Sequence, residues 1–244
     1  MVSRIFLLRE GGIYVLNGSK PAVLGDFSSP NLRELPFFGG RFFKKEVMLK
    51  RGLEIWRKYQ HLFPSANHVL LFHEKDDLFE ILLINKKRFL NEVARNIEDF
   101  KAILGSEMTA EILLKKLVKQ EEPLSEILKN HSGLLGIILG YGKHNSWLFH
   151  QRKMIQNRLD NSQFIPKRFD LIKGEFNTID KKFQPIEQKR KSILFFTSLP
   201  SFVFDPLHIE THELWKEYRK QRKELTKTYR NKNFLEFALK KYLD

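Results

Sequence analysis

The sequence predicts an α+β fold with helix in the majority: short N-terminal hairpins and a small, mostly antiparallel sheet packed with several helices. Three observations carry this expectation. Apolar residues recur at helical spacing over several long stretches. Short runs of branched and aromatic residues stand in pairs around turn residues, the pattern of hairpins. Strands and long helices do not alternate regularly, which disfavours a doubly wound parallel sheet.

The elements follow in order. Within residues 4–24, RIFLL and IYVL flank Glu10, Gly11 and Gly12, and Asn17-Gly18 follows. Gly-Gly and Asn-Gly tolerate positive φ, so this stretch reads as a first hairpin. Residues 25–40 are rich in Gly, Pro and Ser and read as a loop. Residues 44–63 read as a helix, with Leu49, Leu53, Trp56 and Tyr59 near a 3.6 period. HVLLFHE and LFEILLIN around Lys75-Asp76-Asp77 form a second hairpin. Asn85 then caps a helix over 86–104, with Phe89, Leu90, Val93, Ile97, Phe100 and Leu104 on one face and Gly105 at its end. Thr109 caps a further helix through Val118, and Pro123 stands at the first position of another. Residues 133–160 are helical in content but interrupted by glycine. Residues 161–190 carry no assignable pattern. SILFF at 192–196 reads as a strand. Asp205-Pro206 starts a helix that runs to about Arg230, and NFLEFALKKYL closes the chain with one more.

The length of 244 residues suits one domain over 1–244, with a subdivision near 161–190 left open and a basic helical region at 207–244. The absence of cysteine excludes disulfides and thiolate-ligated metal. The longest apolar run, Gly133 to Gly142, has ten residues, against ~20 for a bilayer-spanning helix. The N-terminal segment has only Ile5 to Leu8 before Arg9, too short for the core of a signal peptide. A cytoplasmic location is therefore expected for the chain as given, a removed leader aside.

The formal net charge is +14, and its excess is C-terminal: Lys143 to Asp244 hold 22 basic and 12 acidic residues. The densest part, 212–232, has eight basic and three acidic residues. Trp215, Tyr218, Arg222, Leu225 and Tyr229 follow a 3-4-3-4 spacing there, a narrow helical seam with cations on both sides. Three readings stay open for it: a solvated helix docked by its seam, a polyanion site for nucleic acid or anionic lipid using Lys216, Arg219, Lys220, Arg222 and Lys223, or a contact with a partner helix. No zinc finger or RNP signature marks a sequence-reading module.

HSGLLGIILGYGKHNSWLFH at 131–150 is the least ordinary stretch. A P-loop fails, because Ile137 stands where its first Gly should be and His144 where its hydroxyl should be. The dinucleotide fingerprint fails too, with Asn145 in place of the third glycine. Gly133, Gly136 and Gly140 lie on one helical face, a pattern that lets another backbone approach closely. Two accounts remain: packing glycines before a turn, or a pocket where Tyr141, Lys143, His144 and Asn145 converge as hydrogen-bonding groups.

GSKPAVL at 18–24, LLGIILGYGKHNSWLF and LPSFVFDPLHIETHELWKEYRKQRKE together resemble an uncharacterised bacterial family associated with chlamydia-like bacteria. The resemblance implies a bacterial origin and an α+β domain, and it implies no activity and no catalytic residue.

His208 and His212, four apart, share one face of the expected helix, with Asp205 nearby. The glutamate a zincin needs after the first histidine is replaced by Ile209, so ordinary surface histidines are expected and no metal or other cofactor. His68 and His73 fall on opposite faces of a strand. Neither a Gly-x-Ser-x-Gly elbow nor paired carboxylates appear. The sequence thus favours a binding or interaction protein, with a polyanion binder and an enzyme built on the 140–145 turn as alternatives.

Overall fold

The computed structural model describes residues 11–28, 51–75, 78–119, 122–161, 166–182, 204–229 and 233–244. It is α+β with helix in the majority. The second expected hairpin is present: β2 (His68–Lys75) and β3 (Leu78–Asn85) pair antiparallel, and β3 also pairs antiparallel with β1 (Ala22–Ser28), giving the sheet order β1-β3-β2. The central strand explains why its apolar run alternates imperfectly. Ile81 and Leu83 point into one core, with Leu16, Leu53, Trp56, Phe72 and Tyr242. Leu82 and Ile84 point into another, with Phe89, Val93, Phe100, Leu113, Leu134 and Ile137. A strand covered on both faces needs apolar residues at every position.

The first expected hairpin is corrected. Gly12–Leu16 is a short, fully buried helix, α1, where a strand was expected. Asn17-Gly18 ends that helix and makes no hairpin turn. Gly18 sits at φ 75°, its N–H donates to Val15 O, and Asn17 Nδ2 donates to Ile13 O. A helix C-terminus and a type I′ turn both ask for positive φ, so the dipeptide alone does not separate them. β1 then runs through Gly25 into the expected loop, because pairing with β3 outweighs local propensity. RIFLL, SILFF, the rest of the 25–40 loop and the start of the 44–63 helix lie outside the described residues. The described part of that helix, α2, spans 51–59 and passes into a 3₁₀ turn, Gln60–Leu62.

The 86–104 helix is two: α3 (Lys86–Arg95) and α4 (Ile97–Leu104). Asn85 caps α3 by accepting the Arg88 N–H at 3.0 Å, as expected. The break is at Asn96, whose Nδ2 donates to Glu92 O at 2.9 Å and so takes the acceptor that a continuing backbone would use. Its own N–H turns to Val93 O. Thr109 accepts the Ile112 N–H and starts α5 (Ala110–Lys119). Pro123 is the N-cap of the one-turn α6 (Leu124–Ile127) and stands one place before its expected position, because Glu80 accepts the Leu124 N–H at 3.0 Å.

Residues 133–160 form a helical hairpin of α7 (Ser132–Ile138) and α8 (Lys143–Asp160). Within the unassigned 161–190, α9 (Pro166–Asp180) packs against α8, with Arg152 Nε 2.7 Å from Asp180 and Arg158 3.1 Å from Glu175. The basic helix α10 spans Ile209–Tyr229, and α11 (Phe234–Leu243) closes the chain. The seam of α10 is real: Tyr218, Leu225 and Tyr229 are buried with Ile13 and Tyr14 of α1. Among the described residues, no helix is long and apolar enough to cross a membrane.

Candidate functional site

The 139–142 turn joins α7 to α8, and its geometry follows from two glycines. Gly140 has φ 72° and Gly142 φ 81°, so the chain reverses through left-handed backbone that other residues rarely adopt. Gly140 therefore stands outside α7 and does not share a helical face with Gly133 and Gly136. Gly136 remains a packing glycine, since a Cβ there would lie 2.8 Å from Ser146 Cβ.

The four residues of the expected pocket do not converge on one cavity. Asn145 is 1% exposed and serves as a strut. Its Nδ2 donates to Tyr141 O at 3.1 Å, and its Oδ1 accepts the Asp205 N–H and the Thr211 hydroxyl. Tyr141 packs inward with the Lys20 ammonium 4.8 Å from its ring centroid. Two of the four, Lys143 and His144, line one groove. Lys143 is held 2.7 Å from Asp99 Oδ2. His144 is half-buried. Its ring stacks on His208 at 3.6 Å between centroids and 4° between planes, and its Nε2 lies 3.2 Å from Asp205 Oδ2.

The start of α8 has a cap that the sequence did not suggest. Glu210, from the first turn of α10, accepts the Lys143 N–H at 2.9 Å and the His144 N–H at 2.8 Å, one with each oxygen. A carboxylate there satisfies two otherwise unpaired donors and meets the positive end of the helix dipole. Replacing Glu210 by Ala should cost about 1–2 kcal/mol in urea denaturation, with Glu210→Gln intermediate because the amide keeps one acceptor. Equal stability of all three proteins would show that the cap is inert.

Asp205 is an Asx turn and not a helix cap, as its Oδ1 accepts the Leu207 N–H at 2.9 Å. Burial opposes its charge, yet that N–H and His144 together hold the carboxyl below its ordinary range. Because α10 starts at Ile209, His208 lies before the helix and does not share a face with His212. Among the described residues, no three His, Cys, Asp or Glu side chains are grouped to hold a metal ion.

Lys20 was not marked by any sequence pattern. It is 2% exposed, and burial pushes its amine down to about 7. Above it, Tyr218 donates its hydroxyl to Gly140 O at 2.8 Å and stands edge-on to Tyr14. The same burial raises the Tyr218 hydroxyl well above its ordinary value.

The second group of expected residues lies on the solvent side of α10. Lys216, Arg219, Lys220 and Lys223 are exposed, and Arg222 is half-buried at the edge of the seam. Helical spacing aligns Lys216, Lys220, Lys223 and Lys227 opposite the buried Tyr218 and Leu225. Arg219 flanks the row with its guanidinium 5.1 Å from the Trp215 ring centroid. Glu213, Glu217 and Glu224 fall together on the other flank. Among the described residues, none of the four aligned lysines is ion-paired.

No family model matches the chain, and no curated protein or solved structure matches it.

Proposed function

We propose that this protein is a binding protein whose ligand is nucleic acid, held through its phosphates by the solvent face of α10 without regard to base sequence. The observation that carries the reading is the row of exposed cations, Lys216, Lys220, Lys223 and Lys227, unpaired among the described residues and segregated from the acidic flank of the same helix. Eleven residues of helix span about 17 Å. A duplex presents one phosphate per ~1.7 Å of its axis, so all four ammonium groups find partners without any base contact. Anionic lipid fits less well. A helix that lies in a bilayer interface inserts an apolar face, and the apolar seam of α10 is already buried against α1.

Fluorescence anisotropy with a labelled DNA duplex tests the reading. Four phosphate contacts predict a log–log salt slope of about −4, a loss of roughly two orders of magnitude between 50 and 200 mM salt. The variant Lys216→Glu/Lys220→Glu/Lys223→Glu should not bind. Absence of association at low salt, or wild-type binding by the triple variant, would remove the proposal. Tighter binding to phosphatidylserine vesicles than to DNA would replace it with the lipid reading.

A further inference from the structure

An open groove of about 600 Å³ lies beside the start of α8, walled by Lys143, His144, Trp147, Leu148 and Gln151 of that helix, by His208 and by Lys182, with Lys143 already paired to Asp99. The volume falls within the range of small-molecule sites. The walls combine flat rings with hydrogen-bonding groups that are not yet used. His144 and Trp147 stand one turn apart on α8, Leu148 and Gln151 continue the same face, and His208 stacks on His144. The Trp147 indole N–H and His208 Nδ1 are buried and have no hydrogen-bond partner among the described residues. The Lys182 ammonium and the Gln151 amide are exposed and likewise unpaired among them. The carboxylate on this rim is already engaged, since each oxygen of Glu210 accepts a backbone N–H. With its carboxylate spent on backbone donors, the groove offers a cation and hydrogen-bonding groups that have no partner among the described residues.

We infer that this groove binds a small planar aromatic anion of the nucleoside monophosphate kind, its ring system against Trp147, Leu148 and the imidazole pair and its anionic group toward Lys182 and Gln151. Two parallel stacked imidazoles present their nitrogens side by side, not converging, which suits an organic ligand better than a metal ion. The site does not use the cations of α10, so it stands or falls separately from the nucleic-acid reading.

Isothermal titration of the full chain with adenosine monophosphate, adenosine and inorganic phosphate tests the inference. Adenosine monophosphate should bind saturably with a submillimolar Kd, at least tenfold more tightly than either fragment, because ring and anion engage different walls. Lys182→Ala/Gln151→Ala, two exposed changes that leave the fold intact, should weaken the nucleotide at least about fivefold and leave adenosine unaffected. Lys116→Ala, at an exposed position of α5, should change nothing. No saturable binding of the nucleotide would overturn the inference. So would phosphate binding as tightly as the nucleotide, or nucleotide binding unchanged in the double variant, which would place the ligand elsewhere.

Discussion

Gly140→Leu should destabilise the protein by about 3–8 kcal/mol. Three costs add at this position. The backbone φ of 72° is strained for any residue with a Cβ, about 1–2 kcal/mol. A Cβ there would lie 2.8 Å from Pro21 Cδ and 3.1 Å from the Tyr218 hydroxyl, and the rest of a leucine finds no room, a further ~1–3 kcal/mol. Moving Tyr218 aside also breaks its hydrogen bond to Gly140 O, leaving a buried hydroxyl and a carbonyl without partners, about 1–3 kcal/mol. Gly140→Ala should show the first cost and part of the second. Gly136→Ala should show only the contact with Ser146, because that residue lies within α7 and needs no special φ. Urea denaturation of the three variants orders them. A loss below ~1 kcal/mol for Gly140→Leu would mean that the turn is free to move and that the glycine is not there for packing.

The β2–β3 hairpin and most helices were legible because their signals are local. Asn85, Thr109 and Gly105 mark helix ends through hydrogen bonds made within a turn or two, and the structure keeps all three. The errors arose where a distant partner decides. IYVL has the branched and aromatic content of a strand, but four residues wholly enclosed between the sheet and α10 take whichever conformation buries them, and here it is α1. GDFS, the start of the expected loop, becomes strand because β3 offers it a ladder. Asn96 splits a helix with an intact apolar stripe, because its side chain competes for a backbone acceptor that hydropathy does not register.

The candidate site was legible in part for the same reason. The glycine spacing announced close packing, and helical periodicity put Tyr218, Leu225 and Tyr229 on one seam with cations on both sides. Glu210 could not be read as the cap of α8, since 67 positions separate it from Lys143 and no i-to-i+3 pattern joins them. The stacking of His208 on His144 depends equally on how the 205–208 turn lies over α8. Asn145, polar and beside a glycine turn, has the composition of a ligand-binding residue. Only the tertiary contacts with Asp205 and Thr211 show it to be a strut.

Lys20→Met should stabilise the protein at pH 7 by about 2–4 kcal/mol and flatten its stability between pH 7 and 9.5. The amine titrates near its ordinary 10.5 in the unfolded chain and at about 7 in the folded one. Above pH 10.5 both states are neutral, and the lysine costs folding nothing electrostatically. As pH falls toward 7 the unfolded state takes up a proton that the folded state refuses, so stability declines by about 1.4 kcal/mol per pH unit. Below 7 both states are protonated, and the loss is complete. Tyr218 and Tyr229 act in the opposite sense. Burial raises both hydroxyls, that of Tyr229 to about 12, so their contribution is intact below pH 10 and is lost as pH rises beyond it. Wild-type stability should therefore climb from pH 7, peak between 9 and 10 and then fall, while Lys20→Met should show only the fall. Methionine keeps the length of the aliphatic stem and needs no solvation of its tip, so packing under Tyr141 is largely retained. Urea denaturation at several pH values from 6.5 to 11 reads both limbs. A wild-type profile that is level from 7 to 9.5, or a Lys20→Met protein less stable than wild type at pH 7, would show that the ammonium is solvated or paired in the folded state and that burial does not hold it near neutrality.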